Sequence, residues 1–109
     1  MQQSDFLSQL SGLFSQDNLP GLETQALEIA DLNSIKLWLQ SKLPLPNVSK
    51  AHLVQIPSNG KIMLCVLYSD EQNNALLTEE YPKLRVDCDK INSDLEVFFN
   101  GLSIGTIKF

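Results

Sequence analysis

Few residues of this 109-residue chain could do chemistry, and they lie far apart in the sequence. His52 is the sole histidine, so a Ser-His-Asp or Cys-His mechanism would have to use it, and no Gly-x-Ser-x-Gly motif presents a serine nucleophile. Cys65 lies in a continuous apolar run, where cysteine normally acts as a small hydrophobic side chain. Cys88 lies between Asp87 and Asp89, whose charges raise the pKa of a thiol. We interpret His52 as a rim residue without a catalytic role and the cysteines as reduced thiols, with a cross-strand disulfide as the alternative.

The segment from Asp87 to Asp94 begins with alternating oxygen ligands, as a calcium-binding loop does. Ile91 stands where such a loop needs a third oxygen ligand, and Asn92 stands where it needs glycine. We therefore expect a solvated turn between two strands. The chain also lacks a Walker loop, a Gly-x-Gly-x-x-Gly motif, a His-Glu-x-x-His motif and zinc-spaced cysteines. The sequence thus predicts no catalytic residue, no cofactor and no metal ion.

The charge of the chain is concentrated in its N-terminal third. Thirteen acidic and eight basic residues give a formal net charge of −5. Residues 1–35 contain five of the acids and no Lys or Arg, whereas the charges of residues 36–109 cancel. An acidic chain is poorly suited to bind nucleic acid or an anionic membrane. No apolar run approaches the ~20 residues of a membrane helix, and the N-terminus does not resemble a secretory signal, so we expect a cytoplasmic protein.

Hydrophobic periodicity predicts helices in the first part of the chain. Residues 4–16 carry Phe6, Leu10 and Phe14 on one helical stripe. Residues 22–43 predict a second helical region in one or two pieces, in which residues 27–29 could instead form a short strand. Asp31 or Asn33 can cap a helix there. Trp38 lies beside the apolar stripe of this helix and Leu37 lies off it, so the helix is apolar on more than one side.

Strand patterns follow from residue 50 onward. The predicted strands cover residues 51–56, 62–68, 84–88, 95–99 and 102–108, whereas residues 75–83 are ambiguous. Asn59-Gly60 and Asn100-Gly101 lie between apolar runs, which predicts two hairpin turns. We expect a single α+β domain over 1–109, in which a helical part (1–46) packs on a β part (47–109). The expected sheet is an antiparallel meander of about five strands.

These features favour a non-enzymatic, acidic protein-binding module, such as an adaptor, an inhibitor, an immunity-like protein or an accessory protein of a phage or secretion system. The acids would attract a protein partner with basic residues, although they could also form a merely solvated helical surface. One alternative function is a self-associating structural protein that pairs with a second copy. Another is an enzyme or small-ligand binder that uses His52 or Cys88. The predicted contact residues are Asp17, Glu23, Glu28, Asp31, Leu37 and Trp38.

Overall fold

A computed structural model describes residues 3–15 and 19–109, which form three helices and a five-stranded sheet. The helices are α1 (Gln3–Phe14), α2 (Leu32–Lys42) and α3 (Ser93–Phe99). The strands are β1 (Leu22–Ala30), β2 (Lys50–Ser58), β3 (Lys61–Ser69), β4 (Lys83–Ile91) and β5 (Ile104–Lys108). Their order in the sheet is β1-β4-β3-β2-β5. The pair β1–β4 is parallel and the other pairs are antiparallel, so the α+β class is confirmed but the pure meander is wrong.

The central strand β3 is buried on both faces, as its unbroken apolar sequence predicts. Leu64 and Val66 point to one face, whereas Cys65 and Leu67 point to the other, and all four side chains are fully buried. Asn59 and Gly60 have the positive φ angles that the tight β2–β3 turn requires, which confirms the first predicted hairpin.

Helices cover the two faces of the sheet unequally. Ile35 and Leu39 of α2 join Leu95 and Phe99 of α3 in the core on one face, which we call the α2 face. On the opposite face, Leu10 and Phe14 of α1 pack against residues of β2 and β3. The amphipathic stripe of the first helix is therefore buried at these two positions, whereas the side chain of Phe6 lies outside the described part of the chain.

The prediction of helix for residues 22–30 is wrong, because this segment forms β1; the alternative of a short strand at residues 27–29 lies within β1 but covers only part of it. Its residues (Leu-Glu-Thr-Gln-Ala-Leu-Glu-Ile-Ala) favour helix locally, but pairing with β4 overrides that preference. The strand ends at Asp31, whose side chain accepts hydrogen bonds from the N–H of Ser34 at 2.9 Å and from its hydroxyl at 2.7 Å. Asp31 is thus the N-cap of α2, one of the two capping residues predicted.

The prediction of a strand at residues 95–99 and a hairpin at Asn100-Gly101 is also wrong. Residues 95–99 belong to α3, which Asn92 caps by accepting a hydrogen bond from the N–H of Leu95. Asn100 is the left-handed C-cap of the helix, and Gly101 follows with a positive φ of 79°. The same dipeptide suits a hairpin turn and a helix C-terminus because both need positive φ angles.

The ambiguous segment, residues 75–83, forms no helix: Lys83 begins β4, and the other residues belong to the loop that connects β3 to β4. A buried lysine holds this loop in place. The side chain of Lys83 is fully buried. Its ammonium group donates to three backbone carbonyls, those of Pro20 at 2.5 Å, Thr78 at 3.0 Å and Tyr81 at 2.7 Å. This lysine therefore ties the loop to the turn that begins β1, and it fixes the start of that strand.

Candidate functional site

The fold brings two of the predicted contact residues together beside a lysine. Glu23 of β1 accepts a hydrogen bond from the indole N–H of Trp38 at 2.5 Å, and its carboxylate lies 3.3 Å from Nζ of Lys42. The same Nζ lies 5.6 Å from the centroid of the Trp38 ring. These contacts link the start of β1 to the end of α2 and neutralise Glu23. This carboxylate therefore positions the two elements and adds little free negative charge.

The other predicted contact residues have different surroundings. Asp31 keeps its charge as the helix cap, because hydrogen bonds from the side chain and backbone of Ser34 lower its pKa. Glu28 is exposed on β1 and has no ion pair among the described residues. Leu37 is 58% exposed. Asp17 lies outside the described residues.

The outer edge of β1 has no neighbouring strand in the described part of the chain. The Gly21 carbonyl accepts a hydrogen bond from the N–H of Lys83, so the alternation of a strand points the backbone polar groups of Thr24 and Ala26 away from β4. The N–H of Leu22, which has the same parity, donates instead to Leu19 at 3.2 Å. No hydrogen bond from another described residue reaches the outward groups of Thr24 and Ala26. The sequence does not predict this edge, because its pattern favours helix for residues 22–30, with a strand at residues 27–29 only as an alternative.

An apolar notch opens beside this edge on the α2 face. It has a volume of about 60 Å³, and its walls include Leu27 of β1 together with Ile35 and Trp38 of α2. Ser34 also lines it, and Leu37 lies three residues further along, on the same side of the helix. Leu27 is 40% exposed. The notch therefore leaves room for a small aliphatic group to contact both β1 and α2.

On the opposite face, β1 and β4 border an open groove of about 480 Å³. Ala26, Met63, Arg85 and Asp87 contribute to its lining. The Arg85 guanidinium donates to the Phe14 carbonyl at 3.0 Å and to Asp87 at 3.1 Å. Both charges are thus engaged within the chain, and Arg85 caps the C-terminal end of α1.

Among the described residues, the side-chain partner of His52 is a threonine hydroxyl, and no carboxylate contacts the ring. Nδ1 of His52 lies 3.1 Å from the hydroxyl of Thr106, on the neighbouring strand. Partial burial, followed by the nearby charge of Lys50, lowers the pKa of His52. A lowered pKa favours the neutral imidazole, and no carboxylate among the described residues orients the ring as a catalytic triad requires.

The two cysteines are free, buried and separated by the sheet. Cys65 points to the α1 side and Cys88 to the α2 face, so the alternative of a cross-strand disulfide is wrong for this fold. Burial raises the pKa of Cys65 to about 12. The pKa of Cys88 is also raised, by burial and then by Asp87 and Asp89. Neither thiol is activated as a nucleophile.

The sequence predicts a turn between two strands for the segment from Asp87 to Asp94, and this prediction is wrong. Asp87 and Asp89 lie within β4 and face Arg85 and Lys61, at 3.1 Å and 3.5 Å respectively. The chain then enters α3 directly. In the described ranges, no group of three or more His, Cys, Asp or Glu residues is placed to hold a metal ion.

No protein-family model, curated protein or solved structure matches the chain. Among the residues that the structure describes, no helix is long and apolar enough to cross a membrane. The function is therefore inferred from the surface of the molecule, where the edge of β1 and the adjoining side of α2 are the most distinctive features.

Proposed function

We propose that the chain is a non-enzymatic protein-binding module whose contact surface combines β1 with the adjoining side of α2. We call this the β1–α2 surface; its residues are Thr24, Ala26, Leu27, Glu28, Ser34 and Leu37. The observation that supports the proposal is the unpaired outer edge of β1. Within this nine-residue strand, the outward N–H and C=O groups of Thr24 and Ala26 have no partner among the described residues.

Edge strands of this length are normally protected against unwanted pairing by a proline, a lysine, a bulge or a covering loop. β1 contains neither proline nor lysine. The strand at the other edge, β5, has only five residues and includes Gly105 and Lys108. The contrast between the two edges suggests that β1 is kept available for a partner.

The side chains around the β1 edge have the mixture expected of a protein interface. Leu27 and Leu37 are exposed apolar residues near its centre, and Glu28 and Asp31 add acidic groups toward one end. An apolar centre with a polar rim is typical of surfaces that bind proteins. Burial of Cys88 argues against the enzymatic alternative in which this thiol reacts.

Site-specific photo-crosslinking in the organism that naturally produces the chain tests this proposal. Leu27 and Leu37 would each be replaced by the photoreactive residue p-benzoylphenylalanine. Val97 of α3, which is 78% exposed, provides a matched control away from the surface. We expect positions 27 and 37 to crosslink to the same protein and position 97 not to do so. Absence of adducts at both test positions, or equal adducts at the control, would contradict the proposal.

A further inference from the structure

We infer that the β1 edge binds an extended segment of a partner protein, which carries alternating apolar and basic residues and adds to the sheet as a sixth strand. This inference rests on the proposed function and specifies how the β1–α2 surface recognises its partner. Backbone pairing, an apolar notch and local charge support it independently.

The backbone of β1 presents hydrogen-bonding groups in the geometry that an added strand needs. The outward N–H and C=O groups of Thr24 and Ala26 have no partner in the described chain. A segment in extended conformation satisfies such groups at the regular spacing of a β-ladder. The affinity of strand addition comes mainly from these main-chain bonds, and its specificity comes from alternate side chains.

Alternate side chains of an added strand would meet two different environments. Those on the α2 face would lie beside the notch between Leu27 and Trp38, which favours small aliphatic groups. Those of the other parity would project over the open face next to Ala26, where they remain in contact with water. The partner segment therefore needs apolar residues at every second position, with polar residues between them.

Local charge determines the nature of those polar residues. Glu28 and Asp31 lie toward one end of the edge and have no ion pair among the described residues. A second copy would bring the same acids to the same edge, whereas a segment with lysine or arginine is attracted to it. Charge complementarity thus favours a basic partner over self-pairing.

The probe for this inference is a fluorescein-labelled peptide, Lys-Val-Lys-Val-Lys-Val-Lys, measured by fluorescence anisotropy on the full chain. Two control peptides separate the contribution of charge from that of backbone hydrogen bonding. The first replaces every lysine with glutamate, and the second carries N-methyl groups on alternate residues along one edge. We expect each control to bind at least about tenfold more weakly, because the first reverses the charge and the second removes strand donors. Binding of the basic peptide should also weaken as salt is added.

Ala26→Pro blocks the edge without removing a bond to β4, since the N–H at this position points outward. Thr106→Pro makes the same change on β5, where the N–H also points away from the sheet. We expect Ala26→Pro to weaken peptide binding about tenfold or more and Thr106→Pro to leave it within about twofold. Circular dichroism and urea denaturation confirm that each variant is folded.

Several outcomes would overturn the inference. Equal binding of the basic and acidic peptides would remove the charge argument, and equal binding of the N-methylated peptide would exclude strand addition. A concentration-dependent dimer that Ala26→Pro abolishes would show that a second copy occupies the edge. If the basic peptide does not bind while position 27 still crosslinks to a protein, strand addition is wrong but the binding function stands. If both experiments fail, the proposed function fails as well.

Discussion

Replacement of Lys83 by methionine should destabilise the protein by about 2–4 kcal/mol. The side chain is fully buried, and its ammonium group donates to three backbone carbonyls. Hydrogen bonds to a charged group contribute about 1.5–3 kcal/mol each, which gives a gross loss of about 4.5–9 kcal/mol. The variant no longer has to bury a charge, a cost of several kcal/mol in a folded protein. Methionine retains most of the aliphatic volume, so packing changes little.

The free energy of unfolding would be measured by urea denaturation at pH 7, with Lys61→Met as the control. Lys61 is a surface lysine with one acidic partner, Asp89, and both side chains are more than half exposed. The control should therefore lose less than about 1 kcal/mol. Amide hydrogen exchange supplies a local measure: exchange at Glu23 and Gln25 should accelerate in Lys83→Met, because the start of β1 is no longer held. If both variants lose the same free energy of unfolding and amide exchange at Glu23 and Gln25 is unchanged, Lys83 does not hold the start of β1 in place.

Three further predictions concern the core and its titratable groups. Leu64→Ala should cost about 2–5 kcal/mol because it leaves a cavity in the central strand, whereas Val97→Ala, at an exposed site, should cost less than about 0.5 kcal/mol in the same urea assay. Burial lowers the pKa of His52, so the unfolded chain binds its proton more readily. Stability should therefore decrease as the pH falls from about 6.5 through the lowered pKa, and His52→Gln should lack that part of the slope in denaturation series between about pH 5 and 7.5. Cys65 and Cys88 should not react with Ellman's reagent in the native state but should both react in urea, and fast native labelling would contradict their burial.

The sequence predicted the elements that depend on residues close together in the chain, such as a strand buried along its whole length or a tight turn. β3 is apolar throughout because helices cover both of its faces, and Asn59-Gly60 is a hairpin signal that needs only its neighbours. Of β1, only residues 27–29 were predicted as a possible strand, because its pairing partner, β4, is about 60 residues away and its own residues favour helix. Its boundaries were nevertheless present in the sequence, as Gly21 ends a turn and Asp31 caps a helix, with nine residues between them.

The sequence predicted those properties of the candidate site that depend on residue type alone, and it did not predict the contacts between its side chains. An excess of acids in residues 1–35 can be read directly from the sequence, whereas the neutralisation of Glu23 by Lys42 depends on the fold. The contact between Glu23 and Trp38 joins residues fifteen positions apart on different elements. Lys83 shows the same limit: its sequence environment does not distinguish a buried lysine from an exposed one, because its three acceptors are backbone carbonyls.

The topology explains why the acidic part of the chain coincides with an open edge. β1 joins the sheet beside β4, outside the antiparallel strands, and the chain then leaves through α2, which covers only one face. On the other face, the described side chains of α1 pack over β2 and β3, and Arg85 of β4 donates a hydrogen bond to the Phe14 carbonyl at the end of this helix. In the described part of the chain, the parallel strand β1 therefore has an unpaired edge, and most of its side chains on this face are exposed. Glu28 and Asp31 give this open position two acidic side chains without an ion pair among the described residues, so hydrogen bonding and electrostatics favour the same kind of partner.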